Sequence, residues 1–193
     1  MNDNKFQFKP HYLEAIEAKC KEIGFTMPSD TLVGSLLRTL VATKPAGNIL
    51  ELGTGIGLSL AWMADGLSID GRLISVDNDP ALTEIVKPFF HLNPAVKIVC
   101  QDGEEWIKNY SGEHFDLIFA DTWPGKYNLQ DEVFRLLKVG GIYVIDDMNE
   151  QPNWPEGHAK KAADLVTYLE QREDFHLTKM NWSTGVVLMT KLY

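Results

Sequence analysis

The sequence predicts a doubly wound, mostly parallel α/β domain with a helical N-terminal extension and a C-terminal β-hairpin. Three observations carry this. From about residue 48 onward, short apolar runs alternate with helix-length segments. Most of those runs are continuously apolar rather than alternating, as parallel strands covered on both faces must be. The runs end in glycines, carboxylates and amides, the residue types that line the ligand crevice beyond the carboxyl ends of such sheets.

Each element has its own justification. A first helix is expected over residues 11–23, with Leu13, Ile16, Cys20 and Ile23 at helical spacing and Gly24 as its stop. Ser29 or Asp30 caps a second helix that buries Leu32, Leu36, Leu37 and Leu40 and ends before Pro45. Strands are expected at 49–52, 73–76, 96–100, 115–120 and 142–145, with helices at 58–64, 81–90, 104–109 and 129–137 between them. Gly140 and Gly141 separate the last of these helices from the fifth strand. A final helix near 159–171 follows a long loop. Two strands near 176–180 and 185–190 close into a hairpin around "NWSTG".

Composition narrows the function classes. The 193 residues fit one domain with a sizeable core. The net charge of −9 opposes broad contact with a phosphate backbone, so nucleic acid is a disfavoured partner. Two cysteines without paired spacing, Cys20 and Cys100, give neither a disulfide framework nor a zinc site. The polar start "MNDNKFQFKP" lacks a signal-peptide core, and no apolar run is long enough to span a bilayer. A cytoplasmic protein without membrane contact is the expectation.

The strand ends hold the candidate chemistry. The first strand leads into Glu51-Leu52-Gly53-Thr54-Gly55-Ile56-Gly57. A dinucleotide-binding loop spaces its glycines G-x-G-x-x-G, and here the third comes one residue early, which weakens a nicotinamide reading. The plain alternative is a tight strand-to-helix turn. Asp77, Asn78 and Asp79 follow the second strand; Asp77 can accept from both ribose hydroxyls, whereas Asp79 suits a helix cap before Pro80. Gln101, Asp102 and Gly103 follow the third strand, where an amide or carboxylate can read an adenine edge and Asp102 can equally cap a helix. Asp121 and Trp123 follow the fourth, the indole able to stack on a purine or to anchor packing. Asp146 and Asp147 end the fifth strand. Two adjacent carboxylates repel, and a cation or substrate donors explain them better than stability does.

Together these ends resemble the class I S-adenosylmethionine-dependent methyltransferases, from about residue 27 to 148. Within that class the chain is similar to the small-molecule O-methyltransferases of the catechol and caffeoyl-CoA type. "ELGTGIGLS", "ISVDNDP", "CQD", "FADTWPGKY" and "LLKVGGIYVIDDM" carry the likeness. The resemblance implies a seven-stranded sheet with its last strand antiparallel. It implies a cofactor set of Glu51, Gly53, Thr54, Gly55, Gly57, Ser59, Asp77, Asn78, Gln101, Asp102, Gly103, Asp121 and Trp123. It also implies Mg²⁺ on Asp121, Asp146 and Asp147, and a division into a helical cover over cofactor and substrate (1–45) and a catalytic core (46–193). Two positions depart from the family: its third metal ligand is Asn where Asp147 stands, and its lysine base falls at Pro124. Proline takes no proton, and Lys126 lies two residues further on. The "QPNWPEGH" loop also replaces the family's segment.

The expected activity is methylation of a small-molecule hydroxyl, with Asp121, Asp146 and Asp147 orienting the acceptor with or without a divalent ion. Lys126, if its loop folds back, and His158 are further candidates for the proton. Trp154, Trp182 and Met27 are candidate walls of an acceptor pocket. A tRNA-modifying methyltransferase, a non-catalytic S-adenosylmethionine-binding protein and a homodimer stay open as alternatives.

Overall fold

Seven strands form one sheet in the computed structural model, which describes residues 2–3 and 5–193. They are β1 (Asn48–Leu52), β2 (Arg72–Asp77), β3 (Val96–Cys100), β4 (Phe115–Ala120), β5 (Leu137–Ile145), β6 (Phe175–Met180) and β7 (Val186–Lys191). Their spatial order is β3-β2-β1-β4-β5-β7-β6. The first five run parallel, and β7 inserts antiparallel between β5 and β6. The order reverses between β1 and β4, so the crevice lies beyond their carboxyl ends.

The helices are α1 (Leu13–Ile23), α2 (Thr31–Ala42), α3 (Leu58–Gly66), α4 (Pro80–Phe90), α5 (Gly103–Asn109), α6 (Trp123–Lys126), α7 (Gln130–Leu136) and α8 (His158–Glu170). Successive strand residues feed opposite faces. On β1, Ile49 joins a core with Leu13, Leu37, Trp62 and Phe119, while Leu50 joins another with Phe115, Val133, Tyr143 and Leu165. This two-sided burial is why the strands read as unbroken apolar runs.

Local signals place the helix ends. Gly24 adopts φ +66° and closes α1 by donating to the Lys21 carbonyl. Asp30, rather than Ser29, caps α2 by accepting from the Leu32 N–H at 2.8 Å. Asp79 caps α4, accepting from Ala81 and Leu82. No helix among the described residues is long and apolar enough to cross a membrane.

Two expectations change. The glycine pair does not precede β5 but interrupts it. Leu137 pairs with Phe115, and the ladder resumes with Ile142 opposite Leu117. The intervening residues bulge outward, with Gly140 at φ +74° accepting from Lys44. In α2 the buried stripe is Val33, Gly34, Leu37 and Val41, with Leu36 and Leu40 only partly covered. The stripe is rotated because Gly34 lets α2 close on the Trp62 indole of α3.

That contact makes a stability prediction. Alanine is a better helix former than glycine by about 1 kcal/mol. Yet a Cβ at Gly34 would lie 2.2 Å from Trp62 Cδ1, and Trp62 is fully buried. Overpacking therefore wins, and Gly34→Ala should lower unfolding free energy by roughly 1–3 kcal/mol in urea melts. A neutral or stabilising result would show that the helices can separate without cost.

Candidate functional site

The glycine loop after β1 performs three different tasks. Gly53, Gly55 and Gly57 all have positive φ, at +101°, +50° and +88°. A Cβ at Gly53 would sit 2.9 Å from the Asp121 carbonyl oxygen, and one at Gly57 would sit 2.8 Å from Val86. These two glycines therefore bring the protein close to itself. Gly53 still borders the cleft, but Gly57 lies outside it. Gly55 faces the cleft, and its N–H donates to Asp77 Oδ2 at 2.8 Å.

Beneath the loop lies a buried acid. Glu51 is fully inaccessible; Ser59 and Ser75 donate to its two oxygens, each at 2.5 Å. Thr54 completes the chain through Ser75. Burial pushes the Glu51 carboxyl up to about 8, with the two serine hydrogen bonds opposing and Asp77 adding a smaller push. Glu51 and Ser59 are thus under the loop and not on the cavity wall.

Two cavities flank Gly53. The larger, about 590 Å³, runs from Gly53–Gly55 past the ends of β4 and β5 to the start of α8. The smaller, about 280 Å³, lies between Asp77, Asn78, Asp102, Gly103 and Trp123. Asp77 and Asn78 border both. Asp77 is held rigidly, since its other oxygen accepts from the Asp79 N–H at 2.9 Å. Asp102 caps α5, as foreseen, by accepting from the Glu105 N–H, and it also lines the smaller cavity. Gln101 borders neither cavity. Its N–H continues the β2–β3 pairing by donating to the Asp77 carbonyl, and the chain turns inward only after it.

Trp123 is half-exposed and forms a wall common to both cavities. The Lys161 ammonium lies 3.7 Å from the ring centroid. The next residues change the expectation for Lys126. Pro124 (φ −60°, ψ 129°) and Gly125 (φ +83°) break the α6 turn. Gly125 packs so closely that a Cβ would lie 2.6 Å from Leu52 Cδ1, and its carbonyl accepts from Tyr143. This excursion returns Lys126 to the cleft, where it is 4% exposed. Its Nζ donates to the Asp147 carbonyl at 3.4 Å.

Asp121, Asp146 and Asp147 all border the larger cavity. Burial pushes the Asp121 carboxyl well up, Asp146 adds to this, and Lys126 opposes it. Asp146 is pushed up to about 6, chiefly by burial, against hydrogen bonds from Thr184 and the Asp147 N–H. Asp147 is also raised by burial and opposed by Lys126, and its backbone sits at φ +51°. The resemblance implies Mg²⁺ on these three carboxylates. Among the described residues no group of three His, Cys, Asp or Glu side chains is arranged to hold a metal ion. One Asp146 oxygen is already committed to two donors, and a lysine stands in the same field.

At the outer wall, His158 Nε2 lies 3.1 Å from the Tyr127 hydroxyl, and its ring lies 4.5 Å from that of Trp154. Burial pushes the imidazole down, as do Lys126 and Lys161. Burial and Asp147 push the Tyr127 hydroxyl up to about 12. Residues 25–30 close the cavity on the other side, Met27 and Ser29 among them. Ser29 Oγ reaches both Ser59 Oγ (3.3 Å) and Asp121 Oδ2 (3.4 Å). Trp182 lies outside the cavity, its indole donating to Asp3. Sequence reasoning offered Ser29 only as a helix cap and gave no role to Tyr127 or Thr184. Tyr127 ends a motif already singled out, but nothing local marks a serine or threonine that acts across the fold.

A family model described as O-methyltransferase matches residues 7–183. A protein of Mycolicibacterium paratuberculosis, provisionally named an O-methyltransferase, is 31% identical over 118 residues, 58% of this chain and 53% of its own length. The chain thus spans about half the length of the curated relatives it matches first. An O-methyltransferase of Streptomyces achromogenes involved in tomaymycin synthesis, solved with SAM, shares the fold with a TM-score of 0.83 at 20% identity. The match covers 96% of this chain and 92% of that one. A Bacillus cereus O-methyltransferase solved with SAH gives 0.81 at 20% identity, covering 98% and 94%.

The raised Glu51 carboxyl fixes a pH dependence. In the unfolded chain it ionises near about 4.3; in the native protein it keeps its proton up to about 8. Between those values the native state holds a proton that the unfolded state has lost. Stability is therefore fullest below the window and falls as pH rises through it, by up to about 1.4 kcal/mol per pH unit. Glu51→Gln should flatten the fall in urea-melt stability across that window. Equal slopes for variant and wild type would remove Glu51 as a source.

Proposed function

This chain belongs to the O-methyltransferase family, and from that premise we propose that it transfers a methyl group from S-adenosylmethionine to the hydroxyl of a small molecule. The single observation that carries this reading is the pair of cavities meeting at Gly53 and Asp77. Their chemistry fits the cofactor's parts in sequence. The smaller cavity, with Asp102 and Trp123 on its walls, suits adenine. Asp77 offers acceptors to the ribose hydroxyls from an orientation fixed by two backbone N–H groups. The open backbone at Gly53–Gly55 suits the amino-acid end. The larger cavity continues past this point and leaves room for an acceptor.

Methyl transfer from a sulfonium is an in-line displacement. The acceptor oxygen bonds to the methyl carbon while the carbon–sulfur bond breaks, its electron pair returning to a sulfur that leaves neutral. The hydroxyl proton passes to the Asp121, Asp146 and Asp147 carboxylates that border the same cavity. No anion needs stabilising on the leaving side, so alignment supplies most of the protein's contribution. Proline in the family's lysine position had kept a non-catalytic reading open. Lys126, returned to the cleft by the Pro124–Gly125 turn, supports the catalytic reading instead.

Ligand-dependent melting tests the cofactor. At one hundred times its Kd, a native-state ligand adds about 2.7 kcal/mol, which for a domain of this size raises Tm by roughly 5–10 °C. S-adenosylmethionine and its demethylated product should both give such a shift, and NAD should not. Absence of a shift with either adenosyl ligand at millimolar concentration removes the reading. Asp77→Ala should weaken binding by roughly 10–100-fold in calorimetry, since it removes charged hydrogen bonds to ribose and frees the Gly55 loop. An unchanged Kd would place the ribose elsewhere.

A further inference from the structure

Lys126 is the only lysine or arginine among the described residues of the larger cavity, and it shares that cavity with Asp121, Asp146 and Asp147. It is 96% buried, yet one hydrogen bond, to the Asp147 carbonyl, is all that its ammonium makes with the described protein. Its ammonium also lies 5.4 Å from the Tyr127 ring centroid, so beyond that carbonyl it meets a ring face and the cavity that the residue borders. A buried cation so poorly hydrogen-bonded is costly unless a ligand oxygen completes it. The carboxylates around it balance its charge but do not converge on a metal position.

The rest of the cavity describes the body attached to that oxygen. Trp154, His158, Tyr127 and Met27 border it, with His158–Trp154 and His158–Tyr127 ring centroids 4.5 and 5.3 Å apart. These groups form an aromatic and thioether wall suited to a flat ring.

The geometry points to Lys126 as the resident cation of this floor: its ammonium, in place of a divalent ion, anchors one acidic hydroxyl of an aromatic acceptor. The inference rests on the methyltransferase reading and sharpens its acceptor. A divalent ion accommodates two adjacent substrate oxygens, whereas an ammonium is a point charge that needs only one. A monophenol is then a complete ligand, and a second, neighbouring hydroxyl is not required.

Two probes test this on the full chain. Mn²⁺ alone, followed by its electron paramagnetic resonance signal, should show no saturable binding up to about 1 mM, the weak end of built cation sites. Saturable binding that disappears in Asp146→Asn would overturn the proposal. The second probe is para-nitrophenol, added to protein saturated with the demethylated cofactor product. It should bind with its yellow phenolate band enhanced, because a neighbouring ammonium favours the anion. Lys126→Met should lose roughly 10–100-fold of that affinity and the band enhancement, while Lys126→Arg restores most of both. Cofactor affinity, measured on the same samples, should stay near wild type in both variants, which separates lost phenolate binding from loss of the fold, whereas the melting temperature of Lys126→Met should fall because the buried carboxylates lose their cation. Equal phenolate binding by Lys126→Met and wild type sinks the assignment, as does a wild type that binds no phenolate. Failure of the cofactor itself to bind shows separately, as a missing thermal shift, and removes the methyltransferase reading instead.

Discussion

The approach of Gly53 to the Asp121 carbonyl is the constraint from which the site follows. The ends of β1 and β4 meet here, where the strand order reverses. Asp121 N–H donates to Leu52, Gly53 N–H donates to Val76, and no side chain fits between Gly53 and the Asp121 backbone. Three strand ends are thereby drawn into one floor. Glu51, Asp121 and Asp146 then lie within a low-dielectric layer, and burial is the largest cause of the upward shift in each carboxyl.

Such a concentration of acids requires compensation, and the protein uses several kinds. Glu51 holds its proton and engages two serines. Asp146 accepts from Thr184 on the β6–β7 hairpin and from its neighbour's N–H. Lys126 lowers all three of the remaining carboxyls. The glycine turn at Gly125 is what allows this, since only a residue without Cβ fits between Leu52 and Tyr143. Lys126 thus borders the cleft through the kinked Pro124–Gly125 turn.

The N-terminal segment is tied to this floor rather than merely laid over it. Ser29 reaches both Ser59 and Asp121, and Asp30 caps α2 while accepting from Ser183 of the β6–β7 turn. The segment is thus held both beside the glycine loop and at the β6–β7 turn. The resemblance implied a cover over residues 1–45, but the hydrogen bonds of Ser29 and Asp30 span 30, 92 and 153 residues of sequence. No local pattern encodes contacts of that range.

The sequence alone determined the alternation of strands and helices, the glycine loop, and the carboxylates at successive strand ends. These follow from hydrophobic period, turn chemistry and the positive φ that glycine permits, all of which act over a few residues. Caps such as Asp79 and Asp102 were legible for the same reason. What a strand-end side chain faces was decided only in three dimensions. Gln101 continues a β ladder instead of lining a cavity, and β5 begins before its glycines. Lys126 illustrates the division most sharply. In the sequence its candidacy depended on the loop folding back. Yet two backbone angles at Gly125 and the packing of Leu52 and Tyr143 around that residue bring it to the centre of the cleft.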